Sequence, residues 1–234
     1  MSVDLRVDWC DYKAAKFAVE HWHYSRTMPS PYSKPVKLGI WEDGEFTGVI
    51  IFTTGVSASL AMPYGLKNGE VCELQRVALK SHIAPVSKMI SVAIAKLSRA
   101  NPGLRLIISF ADPYQDHHGG IYQAGNWIYT GETSPSMTFI DSSGRYRHPR
   151  NVRAKSGHDQ YGVKMYGIAD LKREDRPGKH RYLYPLDRAM RKQIAPLAKP
   201  YPKRETCGQS VEGDTSGDQP EEAGSIPAAR SDLG

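Results

Sequence analysis

Residues 71–110 read VCELQRVALKSHIAPVSKMISVAIAKLSRANPGLRLIISF, and they decide the fold. Val71–Leu79 is an apolar run that reads as a strand. The loop KSHIAPV follows, and Ser87–Ala100 reads as a helix with Ser87 placed to cap it. Leu104–Phe110 then reads as a buried strand. Outward from this unit, Asp11 to about Trp22 places Ala14, Ala15, Phe17, Ala18 and Trp22 at helical spacing, with Asp11 as N-cap. A Pro/Ser-rich loop covers Thr27–Pro35. VKLGIW and FTGVIIFTT then flank Asp43-Gly44, a hairpin turn signal. Gly119–Ala124 reads as a short helix ended by Gly125, and Trp127–Thr130 and Met137–Ile140 as two closing strands. This succession predicts an α/β fold with a mixed sheet flanked by helices and without internal repeats.

Composition narrows the class. The chain has 234 residues, of which 40% are apolar, enough for a core. Its three cysteines, Cys10, Cys72 and Cys207, make neither a disulfide framework nor a zinc spacing, which points to a reducing compartment. No apolar run approaches the length of a membrane span, and MSVDLRVDWC lacks the pattern of a signal peptide. A soluble intracellular protein is expected.

Charge divides the chain into three. Residues 1–144 hold 13 Lys/Arg and 13 Asp/Glu, residues 145–204 hold 17 against 5, and residues 205–234 hold 1 against 7. The expected organisation is a neutral body at 1–144, a basic extension at 145–204 packed on it, and a disordered acidic tail at 205–234. The run Arg145–Lys155 holds four Arg, one Lys, one His and one Tyr. Such density suits a phosphate backbone, so Arg145, Arg147, Arg150, Arg153 and Lys155 are predicted nucleic-acid contacts. Tyr146 and His148 are placed to stack or wedge against bases. A solvated charged surface is the plainer alternative.

Several residues carry candidate chemistry. The loop before the Ser87 helix feeds a helix N-terminus, where backbone N–H groups and the dipole attract phosphate. Ser87 adds a hydroxyl and Lys88 a charge, but Ile83-Ala84-Pro85-Val86 stands where a phosphate loop carries glycine. Tyr122, on a short helix after a buried strand, suits a general acid or a core aromatic. His23 and Tyr24 lie where a helix gives way to a loop, and a neutral His there can act as a base. His21 and His23 with His117-His118 suggest a metal, but no carboxylate or Cys clearly completes the set. Asp112 ends a strand, where open α/β sheets bind ligands, and equally suits a cap for the next turn.

The strand, the loop feeding a helix, the buried strand and IYQAGNWIYTG together resemble the acetyl-CoA-binding core of GNAT acyltransferases. More narrowly, HWHYSRTMP, CELQRVAL, the Ser87 helix and SFADPYQDHHGGIYQAGNW resemble the Mom family of bacteriophage DNA-modification proteins, over roughly Trp9–Arg153. The resemblance implies a GNAT-like enzyme of the bacterial host's cytoplasm. It implies conversion of adenine in double-stranded DNA to an N6-carbamoylmethyl-type base with acetyl-CoA, protecting phage DNA from restriction. It also implies catalytic roles for His23, Tyr24, Arg76, Asp112 and Tyr122. His23 and Tyr24 would sit at the adenine, Arg76 would bind an acidic group or orient substrate, and Tyr122 would protonate the CoA thiolate. Acetyl-CoA would lie between the Val71–Leu79 and Leu104–Phe110 strands, on the backbones of Val77 and Leu79 and the amides of Val86, Ser87 and Lys88. A base in a duplex cannot reach such a cleft, so the adenine would be flipped out. Acetyl transfer alone gives an N-acetyl group, so the second nitrogen needs another source, and a metal such as iron is left open. Two other classes fit the same residues: a conventional N-acetyltransferase for a protein or small amine, and a basic DNA-binding protein without catalysis.

Overall fold

The computed structural model describes residues 3–55, 58–147, 149–160, 162 and 164–203. Its centre is a seven-stranded sheet in the order β1 (Leu5–Trp9), β2 (Val36–Glu42), β3 (Glu45–Thr53), β4 (Val71–Leu79), β5 (Leu106–Ala111), β13 (His180–Pro185) and β6 (Ile128–Glu132). The β4–β5 pair is parallel and the other pairs of this sheet are antiparallel. Around it lie the helices α1 (Tyr12–Trp22), α2 (Val86–Ala100), α3 (Gly120–Gln123) and α4 (Arg188–Ile194). Two smaller three-stranded sheets complete the body. One joins β12 (Lys172–Arg176), β7 (Ser136–Ile140) and β8 (Tyr146–Arg147); the other joins β10 (Gly157–His158), β11 (Lys164–Gly167) and β9 (Val152–Arg153).

Local chemistry accounts for the elements. Asp11 caps α1 by accepting from Ala14 N–H at 2.9 Å. Asp43 and Gly44 both take positive φ, 49° and 83°, the backbone that a two-residue hairpin between β2 and β3 requires. Alternation then sorts β3 between two cores: Ile50 and Phe52 pack with Met89, Ile90 and Ala93 of α2, while Val49 and Ile51 pack with Ala15, Ala18 and Val19 of α1. A third cluster joins Met190 and Ile194 of α4 to Leu106 and Ile108 of β5 and Leu183 of β13. The mixed α/β architecture expected from the sequence is present.

Three expectations change. Ser87 is not the cap of α2: the helix starts at Val86 with Pro85 at the cap position and no side-chain cap bond. The strand at 136–140 does not close the main sheet but pairs with β12 and β8. The segment 145–204 is no simple appendage either. Its strand β13 lies inside the main sheet, bonded to β5 on one side and β6 on the other, and Tyr182 on it is fully buried. β1 also lacked a sequence assignment. The acidic tail and His148 lie outside the described residues, as do the side chains of Tyr146 and Arg150.

Candidate active site

β4 and β5 run paired from Val71↔Leu106 to Leu74↔Ser109 and then part. The β5-facing edge of β4 beyond Leu74 has no strand partner among the described residues. A cleft of about 650 Å³ opens there, lined by Trp22, His23 and Tyr24 from the end of α1, by β4 from Leu74 to Val77, and by the segment from Asp116 to Tyr122. Leu79 and Val86 line it as well.

A bulge in β4 sets what faces this cleft. Ile51 pairs with Arg76 and Phe52 with Leu74, so Gln75 is the extra residue. Leu74 packs on the α2 side and Ala78 on the α1 side, although an unbroken strand would put both on one face. The bulge sends Arg76 toward the end of α1, where its Nε donates to Thr27 O at 3.3 Å and its Nη1 to Gln75 O at 2.9 Å. Both acceptors are neutral, and no ion pair to Arg76 occurs among the described residues. Burial pulls its pKa down, but a guanidinium remains charged at any working pH. Arg76 is therefore a cation in the cleft wall with charge to offer.

His23 is buried, and its ring stacks on Tyr24 at 4.3 Å between centroids. Tyr24 is half exposed and meets His117 edge-on at 5.4 Å. The Ser25 backbone N–H donates to His23 Nδ1 at 3.1 Å, and the Ser25 hydroxyl lies 2.8 Å from the same nitrogen. A nitrogen that accepts from a backbone N–H carries no proton, so the neutral ring holds its proton on Nε2. Desolvation foremost, then Arg76 and His117, press the pKa down to about 4. The expected base is thus a neutral hydrogen-bond donor in this geometry, because its lone pair is already engaged.

Tyr122 and Ser109 form a chain at the floor of the cleft. Ser109 Oγ is 2.7 Å from Tyr122 Oη and 2.8 Å from Leu74 O, and Ser109 is fully buried. A carbonyl only accepts, so the single Ser109 proton goes to Leu74 O and the Tyr122 O–H donates to Ser109 Oγ. Burial pushes the Tyr122 phenol up to about 12. Gly119, beside it, has φ +84°, and a Cβ there would fall 2.3 Å from the Tyr182 ring, so glycine is required. The Tyr182 hydroxyl in turn donates to His118 O at 2.6 Å and fixes the wall from β13.

Other candidates fall elsewhere. Asp112 is buried but does not line the cleft: its Oδ1 accepts from Tyr114 N–H at 3.1 Å and its Oδ2 pairs with Lys179 at 3.2 Å. It is the cap of a 3-10 turn, the plainer of its two sequence interpretations. Val77, Leu79 and Val86 line the cleft, whereas Ser87 and Lys88 line a separate hollow of about 360 Å³ with Asn126, Trp127 and Tyr184. The Lys88 N–H is used by Pro85 O at 3.0 Å, and Glu42 accepts from Ile83 N–H at 2.9 Å and Ala84 N–H at 2.7 Å. At this helix start, no partner for the Val86 or Ser87 amide occurs among the described residues, as is usual for a first turn. Arg147 donates from Nε to Asp141 at 2.8 Å and lies 4.2 Å over the Tyr166 ring, so its guanidinium is engaged within the protein. The Ser143 hydroxyl, then the Arg145 N–H and Arg147, hold the Asp141 carboxyl well below the usual range. Arg145, Arg153 and Lys155 are exposed. His21 donates from Nδ1 to Phe17 O at 2.8 Å and stacks on Phe17. Among the described residues, no group of three or more His, Cys, Asp or Glu is placed to hold a metal ion.

Sequence reasoning missed Gln75, Ser109 and Asp116. Nothing local marks them: a bulge is a property of pairing, and Ser109 matters only because β5 brings it under Tyr122.

Fold and cleft together define a mixed-sheet α/β protein whose site is the gap between two splayed central strands. The chain belongs to the Mom protein family, whose model matches residues 4–203. It is 25% identical to the methylcarbamoylase Mom of Escherichia phage Mu over 209 residues, 86% of this chain and 85% of that one. Among solved structures it is similar to an acetyltransferase of Bacillus subtilis in complex with CoA, at 11% identity and a TM-score of 0.44, over 80% of this chain and 100% of that one. It is also similar to FeeM, an N-acyl amino acid synthase from uncultured soil microbes, at 10% identity and a TM-score of 0.45, over 84% and 98%. Likeness at that level fixes neither cofactor nor reaction.

Proposed function

We propose that this chain is a phage DNA-modification transferase that places a carbamoylmethyl-type group on N6 of adenine in double-stranded DNA, uses acetyl-CoA, and protects the DNA from restriction in the cytoplasm of the bacterial host. The observation that carries the proposal is the cleft opened beyond Leu74↔Ser109, where a cation, an exposed aromatic and a buried phenol meet in a member of the Mom family.

The residues fit an acyl-CoA. The unpartnered edge of β4 at Val77 and Leu79 offers backbone groups to an amide-bearing arm, and the first-turn amides of Val86 and Ser87 suit a pyrophosphate. Glu42 narrows that anion site by engaging Ile83 and Ala84. When bound, the thioester would supply an activated two-carbon unit and release the CoA thiol; joining its methyl carbon to N6 and amidating its carbonyl requires both a nitrogen-bearing co-reactant and a two-electron oxidant. Tyr24, half exposed and backed by His23, is a platform on which an extruded base stacks. Arg76 offers positive charge beside it, and the Nε2–H of His23 donates a hydrogen bond. Tyr122, protonated throughout the neutral range, holds a proton for a departing thiolate, and Ser109 orients that hydroxyl. The exposed Arg145, Arg153 and Lys155 would meet phosphates; Arg147 serves the fold.

Mass spectrometry of nucleosides from plasmid DNA of bacteria expressing the chain tests this, with Tyr24→Ala as control. A new adenosine species with wild type, absent with the control, supports it, and its mass names the group. Soluble protein without such a species refutes the assignment.

A further inference from the structure

Gln75 is the bulge residue of β4 and lines the cleft between Leu74 and Arg76. Its Oε1 is buried and has no hydrogen-bond partner, and no side-chain bond to Gln75 occurs among the described residues. An unpaired buried amide oxygen is costly, and sites that keep one do so for something that arrives later. The surroundings say what kind of group arrives. Neighbouring Arg76 has spent two of its donors on backbone carbonyls, and the unmet need at Gln75 is for a donor to Oε1. A carboxamide also presents a donor beside its acceptor, so the matching ligand edge carries a donor and an acceptor side by side.

We propose that Gln75 reads the target base: its side chain turns from the buried rotamer toward the cleft, Oε1 accepts from the exocyclic amine and Nε2 donates to the adjacent ring nitrogen. This rests on the proposed function, since it concerns the base that enters the cleft. Adenine offers N6–H beside N7, the bidentate match of a glutamine. Held by the corresponding edge, guanine and thymine set a keto oxygen against Oε1 and bring two acceptors together; to present a ring N–H beside that oxygen they must turn in the cleft. Cytosine carries an amine beside a ring nitrogen, so in this orientation Gln75 separates amino bases from keto bases. The bulge is what makes this possible: it brings consecutive residues, Gln75 and Arg76, to one cleft, which a regular strand cannot do.

The test measures binding of the full chain to duplexes with one mismatched position, where extrusion costs least. The position holds adenine in one duplex and guanine in the other. Wild type binds the adenine duplex about 5- to 150-fold more tightly, the range of one bidentate contact. Gln75→Leu and Gln75→Met bring that ratio close to 1 and leave affinity for a fully matched duplex unchanged. Their melting temperatures hold or rise, because the substitution removes a buried unpaired oxygen; a merely structural glutamine would lose stability instead. The modified nucleoside falls at least about tenfold in both variants. A ratio that persists in the variants overturns the proposal, and so does a wild type that modifies adenine yet shows no preference. A wild type that neither binds duplex nor modifies it refutes the functional assignment itself, a distinct result.

Discussion

Replacing Tyr122 with Phe separates chemistry from folding in one side chain. The hydroxyl removed donates to Ser109 Oγ at 2.7 Å, while Ser109 keeps its own bond to Leu74 O at 2.8 Å. No buried donor is orphaned, since Ser109 loses only a proton it was receiving. The stability cost is that of one neutral hydrogen bond, about 1 kcal/mol. For a domain of this size that shifts the melting temperature by about 2–4 °C. Turnover should suffer far more. With its pKa pushed up to about 12, the phenol stays protonated at neutral pH and delivers its proton only where negative charge develops. Loss of a positioned acid costs about 10²- to 10⁴-fold. The assay is the initial rate of thiol release from acetyl-CoA with duplex present, beside modified adenosine per plasmid and duplex affinity. Tyr122→Phe should bind DNA like wild type, melt within a few degrees of it, and turn over at least about a hundredfold more slowly. Turnover within threefold of wild type would remove Tyr122 from the acid role. An affinity loss parallel to the rate loss would place the residue in substrate binding instead.

Three further outcomes follow from the same contacts. His23 is neutral in the fold with a pKa near 4, while the unfolded chain takes up that proton near 6.5, so stability is full above about pH 6.5 and is lost as pH falls toward 4. The loss reaches at most ~3 kcal/mol; His23→Gln should flatten the acid limb of a melting-temperature profile over that window, and an unchanged limb would assign it to other groups. Glu42→Ala strips the acceptor from the Ile83 and Ala84 N–H groups and should cost about 1–3 kcal/mol by denaturant titration, whereas an unchanged midpoint would show the loop finding water in its place. Arg145→Ala with Lys155→Ala, both exposed, should lower the slope of log K against log salt by about 2 for duplex binding, while Arg147→Ala should act on the thermal midpoint; a large slope change from Arg147 alone would reverse these assignments.

What could be read from the sequence, and what could not, divides by range. The α1 cap at Asp11, the Asp43-Gly44 turn and the strand Val71–Leu79 are set by neighbours a few residues away, and the structure has them where pattern and turn chemistry put them. β13 escaped because HRYLYP sits in a segment dominated by Arg and Lys, and its place between β5 and β6 comes from long-range pairing that leaves no local mark. The same strand explains the errors in the site. Asp112 has a cap role on sequence grounds, but its pairing with Lys179 becomes visible only when β13 brings that lysine to the end of β5. Tyr24 and Tyr122 are marked by their places at the ends of elements and Arg76 by the family resemblance alone; their convergence depends on where β4 and β5 part and on the Gln75 bulge. Charge density was an incomplete guide to the basic segment for a related reason. Net charge counts Arg147 as available, while its bond to Asp141 and its stacking on Tyr166 engage the guanidinium locally. A basic stretch that also builds the sheet spends part of its charge on folding, so fewer of its cations are available to a partner than the composition suggests, and the proposed DNA contacts fall to residues that remain exposed.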